Sequence, residues 1–416
     1  MNSPKRIASL EPHTLSGLAQ YLDHNLNCHV DADGRKRILN GPEIGLLVQL
    51  DRLIRLALET SFAPFVIRHG VRPGWVTERD AYGRTRNVGL GSYGRKAGVN
   101  SFYPVTQDLA GLLTRIRGSS TILDASNEAA RQLVHAPHIR LLLDVFFQHP
   151  ICCCLGSSID TPADDGRLLA EVYNDFIAQF RQVMVSRKLL RREMHNWNLG
   201  SFENVANLSS YLDHLCAKHG SLTVLHLRLF HAKDRASLIT APVEEQHRDL
   251  KALRACRAKF FDRMRRKPAL FTDDPGYVWA ILPSLEGGYD LHLTLLFSTV
   301  ALRRVLDDKK VEAEQLGVAL QDHADWIGAY WVQMATGGQG SYLRGDANAV
   351  LYGPDWVHGE VDDHTRFGKL KETLGHLAMR RALVRLKNEP PGQYFHMPDL
   401  EPRSTPRPAR GDWKPG

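Results

Sequence analysis

Apolar positions recur at helical spacing through Leu46, Leu47, Leu50, Leu53, Ile54 and Leu58, which predicts a helix there. A second helical pattern runs over residues 124–147. A third covers 165–192, after a Thr161-Pro162 start signal. Past residue 201 the pattern changes. A helix is expected over 204–218, with Val205, Leu208, Leu212 and Leu215 on one face. Residues 222–230 then alternate like a strand, placing Leu222, Val224, His226, Arg228 and Phe230 on one side. Residues 243–267 read as a helix. Strands are expected over 276–282 and 289–297, and the intervening Glu286-Gly287-Gly288 is hairpin chemistry. A helix over 310–331, an irregular Gly-rich stretch over 337–359 and a helix over 365–387 complete the order. It predicts an α+β fold: a mainly helical N-terminal region over 1–200, then an antiparallel sheet covered by helices over 201–388. The Pro- and Arg-rich stretch 389–416 is expected to be a disordered tail.

Composition changes this picture little. Hydrophobic residues make up 43% and charged residues 24% of 416, ordinary values for a globular chain. The N-terminal stretch lacks a signal-peptide core, and no segment reaches the roughly 18 apolar residues of a membrane helix. A cytoplasmic protein without a membrane partner is expected. Of six cysteines, Cys152, Cys153 and Cys154 are adjacent, and none has zinc-knuckle spacing. Three adjacent side chains converge poorly on one tetrahedral ion, so mostly buried reduced thiols are expected.

Charge is uneven. The net charge of +7 is modest for the length, but residues 248–267 hold nine basic residues against Asp249 and Asp262. Arg248, Lys251, Arg254, Arg257, Lys259, Arg263, Arg265, Arg266 and Lys267 therefore give one helix a surplus equal to that of the whole chain. Such a helix suits phosphate contact, or forms a solvated face paired with acids such as Asp307 and Asp308. Arg187, Lys188, Arg191 and Arg192 would widen the surface. Residues 72–100 read as a mobile basic loop, in which Arg84, Arg86, Arg95 and Lys96 are further contact candidates. Its string Gly89-Leu90-Gly91-Ser92-Tyr93-Gly94 has no strand before it and no helix after it, so it does not read as a dinucleotide fingerprint.

Three passages carry a resemblance. The first is Gly276-Tyr277-Val278-Trp279, followed by Gly288-Tyr289 and a strand through His292, Leu295, Leu296 and Phe297. The second is Ile327-Gly328, Tyr330-Trp331, Thr336, Gly338 and Gly340-Ser341-Tyr342. The third is the closing helix after Asp362-Asp363-His364. Residues 205–390 thus resemble the inovirus gene-two-type replication proteins, the family also described by the YagK/YfjJ C-terminal domain. That family is similar to the rolling-circle initiators of His-hydrophobic-His fold. The resemblance implies a divalent ion held by two histidines on one strand face plus a neighbouring carboxylate. It also implies a tyrosine on a helix that attacks phosphorus.

On those positions this sequence departs from the pattern. His292 stands at the second histidine position and Asp290 at the first, so these two are the expected ligands of Mg²⁺ or Mn²⁺ if the protein is catalytic. Leu282 fills the carboxylate position, and Arg228 stands where an acid is expected. His376 occupies the tyrosine position and is the candidate nucleophile. Met379 replaces the lysine. Tyr394 lies beyond the motif. Tyr342, with Tyr289 and Trp331, is the expected stacking platform for bases, and Trp279 is expected to be core. The resulting reading is a DNA-binding replication protein of phage or prophage type, with a degenerate site. Its partners would be single-stranded or hairpin DNA and host replication proteins. Two alternatives are an active metal-dependent single-strand endonuclease (nickase) and a scaffold that binds no DNA.

Overall fold

A computed structural model describes residues 28–30, 35–38, 44–68, 74–79, 83–90, 96–99, 116, 128–154, 159–163, 165–346 and 357–399. The fold is α+β. Its centre is an antiparallel sheet whose strand order is Ser341–Arg344, Leu222–Phe230, Gly288–Ser298, Gly276–Ser284, Phe395–His396, with Gly359–Val361 also pairing Leu222–Phe230. The two hairpin strands form because two largely apolar, almost wholly buried runs flank a tight turn. Gly288 is required in that turn: its φ is +68°, and a Cβ there would meet Asp249 Oδ2 at 2.7 Å.

Strand alternation divides the sheet into two faces. Leu222, Val224, Val278, Ala280, Leu282 and Leu296 pack under Leu208, Tyr211, Leu212 and Leu215 of helix Lys188–His219 and under Leu370, Leu374 and Leu377 of helix His364–Met379. On the other face Leu227, Leu229, Trp279, Ile281, Leu291, Leu293 and Leu295 share a core with Leu250, Leu253, Phe260 and Met264 of the basic helix Val243–Met264. That core continues without a break to Leu46, Leu50, Phe146, Phe176 and Phe180 of the N-terminal helices.

Several expectations need correction. A boundary at residue 200 falls inside helix Lys188–His219. Strand Val384–Leu386 pairs with Leu133–His135, so the end of the chain completes a ladder begun in the N-terminal region. Trp197 Nε1 donates to Ala382 O at 2.8 Å across the same junction. Among the described residues the N-terminal region is mainly helical, as expected, but it also holds short strands. Within 72–100 strands Gly74–Arg79 and Thr85–Leu90 form an antiparallel ladder, and Phe65–Arg68 pairs with Lys96–Val99. Gly89 therefore lies in a hairpin strand, while residues 91–95 lie outside the described part.

The single helix expected over 310–331 is two, Thr299–Leu316 and His323–Tyr330. The first ends on Gly317 in the left-handed region, and the second opens on Asp322, whose carboxylate accepts from Ala324 N. The last helix stops at Met379. The presumed tail is ordered over 389–399, where Phe395–His396 joins the sheet edge and Tyr394 and Phe395 are buried; residues 400–416 lie outside the described part. Among the described residues no helix is long and apolar enough to cross a membrane.

Candidate functional site

The face that carries Leu222 and Leu296 turns polar at mid-strand. His292 stands opposite Arg228 in register and Thr294 opposite His226, with Asp290 two residues beyond His292. All five are buried. His226 Nδ1 lies 2.6 Å from Thr294 Oγ1, and its Nε2 lies 3.1 Å from the Val357 carbonyl. A carbonyl only accepts, so Nε2 carries the proton and Nδ1 accepts from the hydroxyl. Burial, with His358 edge-on at 5.0 Å, holds the His226 pKa well below the usual range, so this imidazole is neutral.

Asp290 is enclosed by arginine. Arg228 Nε donates to Oδ2 at 2.8 Å, its Nη2 donates to the same oxygen, and Arg235 Nη1 donates to Oδ1. Relative side-chain exposure is 1% for Arg228, 3% for Arg235 and 1% for Asp290. Both guanidinium groups also lie against the Phe230 ring, at 5.4 and 4.5 Å from its centroid. Two fixed positive charges surround one negative charge in a low-dielectric interior.

A divalent cation does not fit this arrangement. It would meet two cations at short range, and the facing position across the hairpin is Leu282. Among the described residues no group of three His, Cys, Asp or Glu side chains is placed to hold a metal. The expected ligands Asp290 and His292 do share a face, but that face holds an ion-pair network. Arg235 was not legible in the sequence, because it lies in an aperiodic turn after the strand.

His376 is no exposed nucleophile. It is 7% exposed on helix His364–Met379, and its Nε2 is buried without a hydrogen-bond partner. Burial lowers its pKa to about 4, so the ring is neutral. Tyr394 belongs to the core on the opposite side of the sheet from Asp290 and His292. Its hydroxyl donates to Pro390 O at 2.6 Å, and its ring lies between Arg254 and Arg381 at 4.9 and 4.6 Å.

Two of the three expected stacking platforms are structural, and Tyr342 is half-buried. Tyr289 and Trp331 are fully buried, and Trp331 Nε1 donates to Phe230 O at 2.9 Å. The Tyr342 ring lies flat on Gly328, where a Cβ would approach it to 2.3 Å, and its hydroxyl donates to Asp325. Gly340 is required by close approach as well, since a Cβ would meet Phe230 O at 2.4 Å. Trp279, as expected, is buried in the core.

The basic helix is divided by its packing. Arg257 lies over the Trp279 ring at 4.1 Å, and burial, with Arg254 alongside, lowers its pKa. Arg254 Nη1 donates to Pro391 O at 3.2 Å, and Arg263 Nη1 reaches Met334 O at 3.5 Å. These three hold the C-terminal segment and neighbouring turns. Arg248, Lys251, Lys259, Arg265, Arg266 and Lys267 are exposed. At about 100° per residue Arg248, Lys251 and Lys259 fall within about 80° of one another, opposite the buried Leu253 and Phe260. Among the described residues only Arg266 of these six makes an ion pair, a 3.8 Å surface contact with Asp262. Arg84, Arg187 and Arg192 are also exposed, and Arg86, Lys96, Lys188 and Arg191 lie within strands or helices. Arg95 falls outside the described residues.

No protein-family model matches the chain, and no curated protein and no solved structure matches it.

Proposed function

We propose that this protein binds single-stranded or hairpin DNA without cutting it, as a replication protein of phage or prophage type acting in the cytoplasm. The observation that carries the reading is the outward stripe of the basic helix. It presents Arg248, Lys251 and Lys259 to solvent with no ion pair among the described residues, as phosphate binding requires. Two observations support the reading without cleavage: the mid-sheet carboxylate is committed to Arg228 and Arg235, and the histidine at the nucleophile position is buried and neutral. The phage-type assignment rests on the resemblance of residues 205–390 alone.

Fluorescence anisotropy with labelled single-stranded DNA tests the reading. Affinity is expected to fall steeply with salt, and the labelled strand is expected to stay intact in Mn²⁺. Mn²⁺-dependent nicking abolished by His292→Ala would establish the nickase instead. Absence of binding at low salt would leave the scaffold.

A further inference from the structure

Far from the sheet, the sequence Cys152-Cys153-Cys154 sits on a one-turn 3₁₀ helix, Pro150–Cys153. The expectation of mostly buried thiols fails here: Cys153 is exposed, and Cys152 and Cys154 are partly so. The turn is held in place. Ile151 is buried in the N-terminal core, its N–H donates to His149 Nδ1 at 3.1 Å, and Cys154 N donates back to Ile151 O at 3.1 Å. On this fixed turn the sulfurs of Cys152 and Cys153 lie 3.6 Å apart, while Cys154 Sγ points back to Pro150 O at 3.5 Å.

The spacing discriminates between what two thiols can do. A disulfide needs sulfurs about 2.05 Å apart and Cα atoms at least about 4.4 Å apart, whereas neighbouring residues sit about 3.8 Å apart across a trans peptide. Direct oxidation of this pair is therefore strained. A single bridging atom is not. With metal–sulfur bonds of about 2.3 Å, sulfurs 3.6 Å apart subtend about 103° at the bridge, close to an unstrained bent geometry. A four-coordinate ion such as zinc would need two more protein ligands, and among the described residues no group of three is placed to supply them. A three-coordinate centre that brings its own third substituent needs only these two sulfurs.

We propose that Cys152 and Cys153 form a vicinal-dithiol site for a trivalent arsenical. With phenylarsine oxide as the reagent, two As–S bonds form and the arsenic–oxygen bond breaks. Both thiol protons leave with that oxygen as one water, and no atom changes oxidation state. The site lies on the N-terminal region and is independent of the DNA-binding reading.

The test uses the reduced full chain, treated with phenylarsine oxide and read by intact mass. One adduct per chain is expected, formed with loss of one water. It should survive excess 2-mercaptoethanol and be removed by 2,3-dimercaptopropanol, because a chelate holds its second sulfur at high effective concentration. Cys152→Ser and Cys153→Ser should each weaken retention by at least about tenfold, while Cys216→Ser and Cys256→Ser leave it unchanged. Far-UV circular dichroism confirms that each variant is folded. An adduct that a monothiol removes from the unaltered chain, or one retained in both single variants, overturns the proposal. Loss of the adduct in Cys154→Ser with retention in Cys152→Ser overturns it as well.

Discussion

Basic side chains are used in two opposite ways within 40 residues of this chain. On the sheet, Arg228 and Arg235 are buried around Asp290, donating into both carboxylate oxygens and lying on the Phe230 ring. On the outer side of the basic helix, Arg248, Lys251 and Lys259 stand in solvent without an ion pair among the described residues. The first set fixes structure, because a charge removed from water must be matched where it lies. The second set leaves its charge to whatever arrives from solution. Arg254 and Arg257 fall between: they belong to the basic helix by sequence, but their guanidinium groups serve the C-terminal segment and Trp279. A cluster of like residues in a sequence is thus not yet a surface.

Substitutions can break or sharpen this contrast. The largest effect is expected at Asp290. Asp290→Ala removes the carboxylate shared by two buried guanidinium groups and should cost about 3–5 kcal/mol, read by urea unfolding, whereas replacing Arg228, Arg235 and Asp290 together with apolar residues of similar volume should recover most of the loss. A normally stable Asp290→Ala protein would mean that the triad does not hold the sheet. Trp279→Ala should cost about 3 kcal/mol through its cavity and the lost support of Arg257. An unaltered midpoint together with changed DNA affinity would move Trp279 from the core to the binding surface.

Acidification should act next. Burial lowers His323 and His376 to about 4 from an ordinary 6.5. Between those values the unfolded chain takes up protons that the folded chain refuses. Stability should hold above about pH 7 and fall as pH drops toward 4, by on the order of 1–3 kcal/mol per histidine. His376→Leu should remove one share of that slope and raise stability near neutrality by about 1 kcal/mol, since an unpartnered buried nitrogen disappears. A loss of function at unchanged stability would restore His376 as a chemical group.

The smallest effect on stability is expected where the effect on binding is greatest. Arg248→Ala, Lys251→Ala and Lys259→Ala should each change stability by less than about 0.5 kcal/mol. Combined, they should lower the slope of log affinity against log salt by about 2 for single-stranded DNA. Arg254→Glu with Arg257→Glu should instead loosen the C-terminal segment, visible as faster proteolysis near residue 390. If that pair altered only the salt slope, those arginines would belong to the stripe after all.

The sequence by itself determined the α+β class, the Leu222–Phe230 strand, the hairpin with its glycine turn and the amphipathic basic helix. Each is written in local periodicity or in a turn residue whose backbone angle few others adopt. It also placed Arg228, Asp290 and His292 on one face, because strand alternation is a local rule. Only the tertiary structure decided what that face does. Arg235 reaches Asp290 from an aperiodic turn, His376 is buried on a helix that packs against Lys188–His219 from more than 150 residues away, and Phe395–His396 joins the sheet from beyond a proline pair. The two-stranded pairing of 133–135 with 384–386 and the division of the basic helix into packed and exposed arginines are of the same kind. Partners distant along the chain leave no periodic trace, and whether a charge is paired or left to solvent depends on which of them folds against it.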